Sequence, residues 1–447
     1  MVGSESAWEA VASFCEEVMA TKEGAERERE AAATLPSRAR LSNATATMAQ
    51  YNFEGDFDTI SECQLEFINK VILEQDFKAN KVFFEPVGQA GDNFVANVKR
   101  ITLEGDNGSL KIIAKVAPAL EVIRQTVNTA LMFTNEHIMY TEVLPKLVQL
   151  QKAAGVPEEE QLRYAKCYGS LNEAPNEIIL LEDLKVSDFV MLNKFESLSD
   201  ECVKSVLKDF ATLHSLSYAL KKQEPETFDL FKHKLKDMWS IMGDNDAFEA
   251  HMQYVENDLI SVLDDDSHKS AIKNKIMDVS KIALKLSKYE YNNKHSVIQQ
   301  GDAWTNNIMF KFEAIQSIMI DYQVSKNSSP VADILYMIFN CTDYETRSKN
   351  FYEWIDYYHS ELEKSLSNFG LKANFMYPRD QLDADMKRYG KFIFGMSLIL
   401  TNVLTRDSKE AGAMMEAMKN NDMDAVRDKM SVGDNRNKEF KYLMVDE

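Results

Sequence analysis

The densest set of groups able to do chemistry stands two-thirds of the way along the chain, in Gly301-Asp302-Ala303-Trp304-Thr305-Asn306-Asn307-Ile308. Asn307 follows Asp302 by five positions. Asp321, in Ile320-Asp321-Tyr322-Gln323, follows Asn307 by fourteen, behind an apolar run. Transferring a phosphoryl group from a nucleotide needs these three groups. One carboxylate orients the accepting hydroxyl, while an amide and a second carboxylate hold the metal that bridges the phosphates. Two acids and an amide on adjacent loop ends offer the hard oxygens that suit Mg²⁺. The rival explanation is a capped hairpin with hydrogen-bonded Asp and Asn; features upstream weigh against it.

Lys115 sits in an otherwise apolar run, Leu110 to Val116, with Ile113 on its face by the strand period of two. A lysine at the inner end of a buried strand is costly unless an anion pairs with it. Lys111 shares that face, so a solvated edge is the alternative. Glu136 lies on a helical stripe with Phe133 and Tyr140 and wants a cationic partner. A Lys115–Glu136 pair with the lysine reaching two phosphates fits a kinase. Gly88 and Gly91 are turn residues first; functionally, such a turn drapes backbone N–H groups over phosphates. Asp333 opens a helix, where the dipole favours an acid, and His214 reads as a satisfied core histidine. No two of the seven histidines have metal-ligand spacing. No Ser/His/Asp or Cys/His set stands out.

The elements that must position these groups fall into two textures. Thr59-Ile60-Ser61-Glu62 predicts a capped helix start. From Lys81 the pattern predicts an antiparallel meander: Val82–Phe84, then Phe94 to Leu103, a turn at Glu104–Gly108, and Leu110 to Val116. A helix through Phe133, Glu136, His137, Tyr140 and Leu144 follows, with Pro145 expected to end it. Glu177–Leu181 is a short strand leading to Glu182-Asp183-Leu184. Beyond residue 195 the chain reads as helical. Ser199-Asp200 starts a helix that buries Val203, Val206, Leu207, Phe210, Leu213 and His214. Only Val297 to Asp321 reads as strand–loop–strand there. The expected fold class is α+β, bilobal and protein-kinase-like. Residues 1–50 form an extension, disordered or a frayed helix. Residues 51–184 form a nucleotide-binding N-lobe, and 185–447 a larger helical C-lobe with the catalytic loop and substrate site.

Composition narrows the partners. The 447 residues carry a net charge of −20, which repels nucleic acid and anionic membrane. An anionic nucleotide therefore needs a local cation or bound metal. Five scattered cysteines without a C-x-x-C pair argue for reduced thiols. No signal peptide is evident, since Glu5, Glu9, Glu16 and Glu17 interrupt the start. The longest uncharged stretch, Phe392 to Thr405, falls short of the roughly 20 apolar residues a bilayer needs. A cytoplasmic monomer acting on a small molecule is the expectation.

Gly301-Asp302-x-Trp304-x-x-Asn307-Ile308-Met309-Phe310, Ile320-Asp321-Tyr322-Gln323 and Ser329-Pro330-x-x-Asp333-Ile334-Leu335-Tyr336 together resemble the insect ecdysteroid-kinase-like family. That family belongs to the choline kinase and aminoglycoside phosphotransferase superfamily. The resemblance extends to Gly91-Asp92-Asn93-Phe94, Ile113-Ala114-Lys115-Val116, Asn135-Glu136, Leu181-Glu182-Asp183-Leu184 and Leu213-His214, and spans about residues 60 to 405. It implies an ATP- and Mg²⁺-dependent kinase of an ecdysteroid-like or other hydroxylated hydrophobic substrate. Asp302 would be the catalytic base, Asn307 and Asp321 the Mg²⁺ ligands, and Lys115 the phosphate contact with Glu136 as its partner. Gly88, Gly91 and Asn93 would cover the nucleotide, and Glu182, Asp183 and Leu184 would be the hinge that meets adenine. Two positions depart from the family pattern: Gln300 stands where His is usual, and Tyr322 where Phe is usual. The alternatives are a degenerate kinase that only binds its ligand, or a choline- or aminoglycoside-type acceptor. A protein kinase is disfavoured because His-Arg-Asp, Asp-Phe-Gly and Ala-Pro-Glu are absent.

Overall fold

The computed structural model describes residues 51–404 apart from 76, 89–95, 107, 127, 239–245, 262 and 264. The 1–50 extension, Gly91 and Asn93 lie outside the described residues. The first half builds a six-stranded sheet in the order β1-β2-β3-β4-β6-β5. Its strands are β1 (Phe53–Gly55), β2 (Lys81–Pro86), β3 (Asn97–Gly105), β4 (Gly108–Val116), β5 (Cys167–Leu171) and β6 (Ile178–Glu182). All neighbours are antiparallel except β1 on β2. Helix α1 (Glu62–Glu74) closes one face, burying Ile68, Val71 and Ile72 against Val82, Phe84, Ile101 and Ile112.

Two local expectations are corrected here. Helix α1 is capped by Ser61 and Gln64 rather than by Thr59 and Glu62. Gln64 decides the register, because its side chain is buried and also reaches Glu177 O at 3.3 Å. Pro145 does not end its helix. After α2 (Glu121–Thr126), α3 (Thr129–Ile138) runs through a π turn, Met139–Val143, into α4 (Leu144–Ala153). The Leu144 N–H bonds to Met139 O, five residues back. The widened turn puts Pro145 in the first turn of α4, where a missing N–H and a fixed φ do no harm.

The second half is mainly helical. Strand β7 (Val190–Met191) precedes α5 (Asp200–Gln223), α6 (Pro225–Lys234), α7 (Asp246–Ser261), α8 (Asp266–Ile272) and α9 (Val279–Tyr291). Ser199 caps α5 by accepting from Cys202 N, and the predicted apolar face is buried in full. Short strands β8 (Val297–Ile298), β9 (Ile308–Lys311), β10 (Gln316–Met319) and β11 (Asn327–Ser328) form two small sheets among the helices. Helices α10 (Pro330–Cys341), α11 (Tyr344–Ser367), α12 (Ala373–Met376) and α13 (Arg379–Leu404) follow. Val206, Leu207 and Phe210 of α5 share a core with Trp354, Tyr358 and Leu362 of α11. Among the described residues, no helix is long and apolar enough to cross a membrane.

Candidate active site

Strand β4 is paired on both sides, with Lys115 opposite Val98 on β3 and Ile179 on β6. Lys115 is buried whereas Lys111 is exposed, so the solvated-edge alternative holds only for Lys111. The Lys115 Nζ donates to Glu136 Oε2 at 2.6 Å and to Asp321 Oδ1 at 2.7 Å. Gln323 Oε1 stands 3.5 Å away. Burial alone would lower the lysine pKa, but Asp321 and Glu136 together hold it above the ordinary value, so the ammonium stays charged. Glu136 feels the opposite pull: burial raises its carboxyl and Lys115 opposes it. Helix α3 is fixed to the second-acid loop by Asn135, which donates to Gln323 O at 3.2 Å and to Lys236 O at 2.9 Å. Asp321 adopts a left-handed backbone, φ 60°, just after β10. Such a conformation is uncommon for a side chain other than glycine and concentrates at functional turns.

Asp302 sits in the loop between β8 and β9. Its Oδ1 accepts from Tyr336 Oη at 2.7 Å and its Oδ2 from Asn307 Nδ2 at 3.0 Å. Burial, then the nearby Asp321 charge, push its carboxyl up to about 7 against the lowering pull of Tyr336. Asn307 spends its Nδ2 on Asp302, which leaves the side-chain oxygen as the group it can offer a metal. β10 pairs with β9, and Ile320 N donates to Asn307 O at 2.9 Å. That hairpin brings the second acid back beside the first loop.

Gln300 joins the two loops. Its Oε1 accepts from Asp302 N at 2.6 Å, and its Nε2 donates to Ile320 O at 2.9 Å and Asp321 O at 3.0 Å. An amide has the donor and the acceptor that this bridge needs. Behind the loop, Asp333 does more than open α10. Its carboxylate accepts from Gln300 N at 2.9 Å and Gly301 N at 2.8 Å, and it pairs with His214 Nε2 at 3.1 Å. His214 also meets Tyr358 Oη at 2.9 Å. Gly301 has φ 92°, and a Cβ there would stand 2.8 Å from Val324 O.

The remaining predicted positions are spread around this centre. Gly88 has φ 85°, which suits a turn. After β6, Asp183 binds Arg100 Nε at 2.6 Å and caps a short 3₁₀ helix, Leu184–Ser187. Glu182 and Leu184 line an open cleft of about 620 Å³ behind this connection, together with Lys152, Glu158, Glu159 and Arg163. Lys115, Asp302 and Asp321 do not border that cleft. Its three acids outnumber its two cations, so it does not suit a polyphosphate.

A metal would find a sparse donor set. Among the described residues, no cluster of three or more His, Cys, Asp or Glu converges. Asp321, with its side chain 24% exposed, and Asn307 supply a carboxylate and an amide oxygen. This fits Mg²⁺, which keeps waters and takes one or two protein oxygens plus phosphates. It would not fit Zn²⁺.

Sequence reasoning missed three supports: Gln300 as a bridge, Tyr336 on Asp302, and Asp333 as the anchor of the loop. The signal for the last two was present. Asp333 and Tyr336 are three apart, on one face of a helix packed against the loop.

No curated protein gives a significant match to the chain. Solved structures similar to it in outline include the GDP complex of wild-type aminoglycoside 2′-phosphotransferase-IIIa, at 11% identity and a TM-score of 0.40, covering 85% of this chain and 98% of that one. Plasmodium vivax ethanolamine kinase is 13% identical with a TM-score of 0.40, covering 85% and 87%. The AMP-bound complex of spectinomycin phosphotransferase is 12% identical with a TM-score of 0.33, covering 82% and 98%. The model of the ecdysteroid kinase-like family matches residues 90–371, more than half the chain and all the loops described above except Gly88. The chain belongs to the ecdysteroid kinase-like family.

Proposed function

We propose that the protein is an ATP- and Mg²⁺-dependent small-molecule kinase acting on a hydroxyl of an ecdysteroid-like or other hydroxylated hydrophobic compound. The observation that carries this reading is the connected set Glu136–Lys115–Asp321–Gln300–Asp302–Asn307, in which each member hydrogen-bonds the next. A cation, three acids and two amides joined in this way support a phosphoryl-transfer reading, which calls for a lysine, a base and oxygen ligands for a metal.

Asp302 is the base. Near neutral pH its carboxyl, pushed up to about 7, is poised to take a proton from the acceptor hydroxyl onto an Oδ atom. Tyr336 and Asn307 fix its orientation. Lys115, held on one side by Glu136, would offer its ammonium to phosphate oxygens in place of Asp321. Asn307 and Asp321 would hold Mg²⁺, which supplies charge neutralisation on the phosphates when bound.

The acceptor enters beside Gly301 and Tyr336. A cavity of about 50 Å³ lies there, walled by Ala283, Leu286, Phe392 and Met396 among others. It is far smaller than the roughly 300 Å³ or more that whole small-molecule ligands occupy. It is too small for an entire steroid, and Asp302 is not among its lining residues. Phe392 and Met396 line this cavity, whereas Phe394 packs on the α7–α8 core. The unpaired state of Cys63, Cys167, Cys202 and Cys341 supports a reducing, cytosolic address.

The rival reading is a degenerate kinase that binds without turnover. Its support was Gln300, yet this amide bridges both loops, which favours a working site. The test is a screen of purified protein with ATP and Mg²⁺ against hydroxylated steroids, plant secondary metabolites and choline, read as a phosphoryl mass gain on the acceptor. Phosphorylation of a hydroxylated hydrophobic compound, lost in Asp302→Asn, is expected. Nucleotide binding without any turnover would favour the rival.

A further inference from the structure

We propose that Arg100 is a nucleotide-binding residue whose guanidinium face stacks on the purine ring. The assignment rests on the kinase reading above. Strand pairing sets the geometry. Lys115 on β4 stands opposite Val98 on β3, and Ile113 stands opposite Arg100. Side chains paired across two strands leave the sheet on the same side, so Val98, Arg100, Ile113 and Lys115 share one face. The other face carries Ile101, Leu103, Ile112 and Ala114, all buried in the core beneath α1. On the Lys115 face, Val98, Arg100 and Ile113 are only half-buried. Direction along the strands matters as well. Ile179 of β6 stands opposite Lys115, and Leu181 opposite Ile113. The step from Lys115 to the row of Arg100, Ile113 and Leu181 therefore leads toward Glu182-Asp183, at the end of β6. Arg100 is the diagonal neighbour of Lys115, roughly 7–8 Å away. A nucleotide with phosphates on Lys115 and its purine toward Asp183 would lay the ring over that row.

Arg100 is also held in place. Its Nε donates to Asp183 Oδ2 at 2.6 Å and its Nη1 to Glu85 Oε1 at 2.9 Å. The N–H donors of a guanidinium lie in its plane, so two carboxylates at its edge leave the flat faces uncommitted. The side chain keeps 18% of its surface exposed, so a ligand can reach it. A guanidinium in such a setting stacks on aromatic rings, and half-buried Val98 and Ile113 beside it offer the apolar contact that a purine also needs. The competing explanation is that Arg100 only ties β3 to the connection after β6 by neutralising Asp183, which is buried. That role asks for a positive charge. Stacking asks for a flat one, and the two are separable.

The experiment measures Kd by calorimetry for two ligands, ATP and inorganic tripolyphosphate, each with Mg²⁺. The full chain is used as wild type, Arg100→Lys and Arg100→Met. Lysine keeps a charge for Asp183 and Glu85 without the flat face; methionine removes both. Tripolyphosphate presents the phosphates without the purine. A change in charge or in fold near Lys115 acts on both ligands, so the ratio of their Kd values isolates the purine contact. The preference for ATP over tripolyphosphate should fall by about 5- to 30-fold in Arg100→Met and by about 3-fold or more in Arg100→Lys. A preference within about 2-fold of wild type in Arg100→Met, or in Arg100→Lys should the methionine variant not fold, would overturn the assignment. So would an ATP Kd unchanged in both variants. Either result leaves the kinase reading standing. Wild-type protein that binds neither ligand would sink that reading, and the role of Arg100 with it.

Discussion

Asp302 has each carboxylate oxygen held by a different side chain, Tyr336 on one and Asn307 on the other. If Asp302 is the base proposed above, these two bonds orient it before substrate arrives. Asp302→Asn should lower kcat by about 10²- to 10⁴-fold, the usual worth of a general base, with nucleotide affinity kept. Single-turnover kinetics and nucleotide titration check the two halves of that statement. Tyr336→Phe removes the bond to Asp302 and keeps the ring against the cavity, so it should lower kcat more than it raises acceptor KM. Tyr322 makes the opposite kind of case. Its hydroxyl is buried with no hydrogen-bond partner, and its ring meets that of Tyr140 edge to face, with centroids 5.5 Å apart. Tyr322→Phe restores the residue usual in the family and removes an unpaired polar group. It should stabilise the protein by about 1 kcal/mol in urea denaturation. A loss of stability would mean that the hydroxyl has a donor or acceptor after all.

At the scale of elements, the loop that carries Asp302 is held from behind by α10 through Asp333 and by α5 through His214. Asp333→Ala leaves two backbone N–H groups and a histidine without their acceptor. A loss on the order of 3 kcal/mol is expected by denaturation, together with loss of turnover. Gly301→Ala should cost about 2 kcal/mol, from the positive φ and the close Val324 carbonyl. On the other side of α5, Asp209 accepts from Ser317 Oγ on β10. Burial raises its carboxyl from 3.8 to about 7. An acid raised in the folded state is protonated there after the unfolded chain has lost its proton. Its contribution to stability therefore falls as pH rises from about 4 to about 7. The stability of Asp209→Asn relative to wild type should grow across that window, measured by denaturation at several pH values. Local pattern made much of this legible. Alternation marked β4, the three-and-four spacing marked the buried face of α5, and the acid–amide–acid spacing marked the loop pair. What escaped was tertiary. Pro145 reads as a stop because the π turn that accommodates it has no local signature. The roles of Gln300 and Asp333 depend on which loop packs on which helix.

At the scale of the molecule, the sheet supplies the lysine and the helical half supplies both acids. The ion pair between Lys115 and Asp321 joins residues 206 positions apart. Any substitution that severs it should weaken nucleotide binding and the docking of the two halves at the same time. The net charge of −20 gives an anionic nucleotide no general attraction, so on the proposed reading Lys115 and a divalent ion would have to supply it. Lys115→Met should therefore reduce ATP affinity steeply, whatever the salt concentration, because the contact is buried and poorly screened. Isothermal titration at low and high salt checks this.

The central claim is that these residues transfer a phosphoryl group to an alcohol, and one measurement addresses it most directly. Purified protein is incubated with γ-labelled ATP, Mg²⁺ and a hydroxylated steroid panel, and label on each acceptor is followed in wild type, Asp302→Asn and Lys115→Met. The account predicts label on at least one alcohol in wild type, and labelling slower by about 10²-fold or more in either variant. Label that persists in Asp302→Asn at the wild-type rate, or wild-type protein that binds ATP yet labels no alcohol, would contradict it.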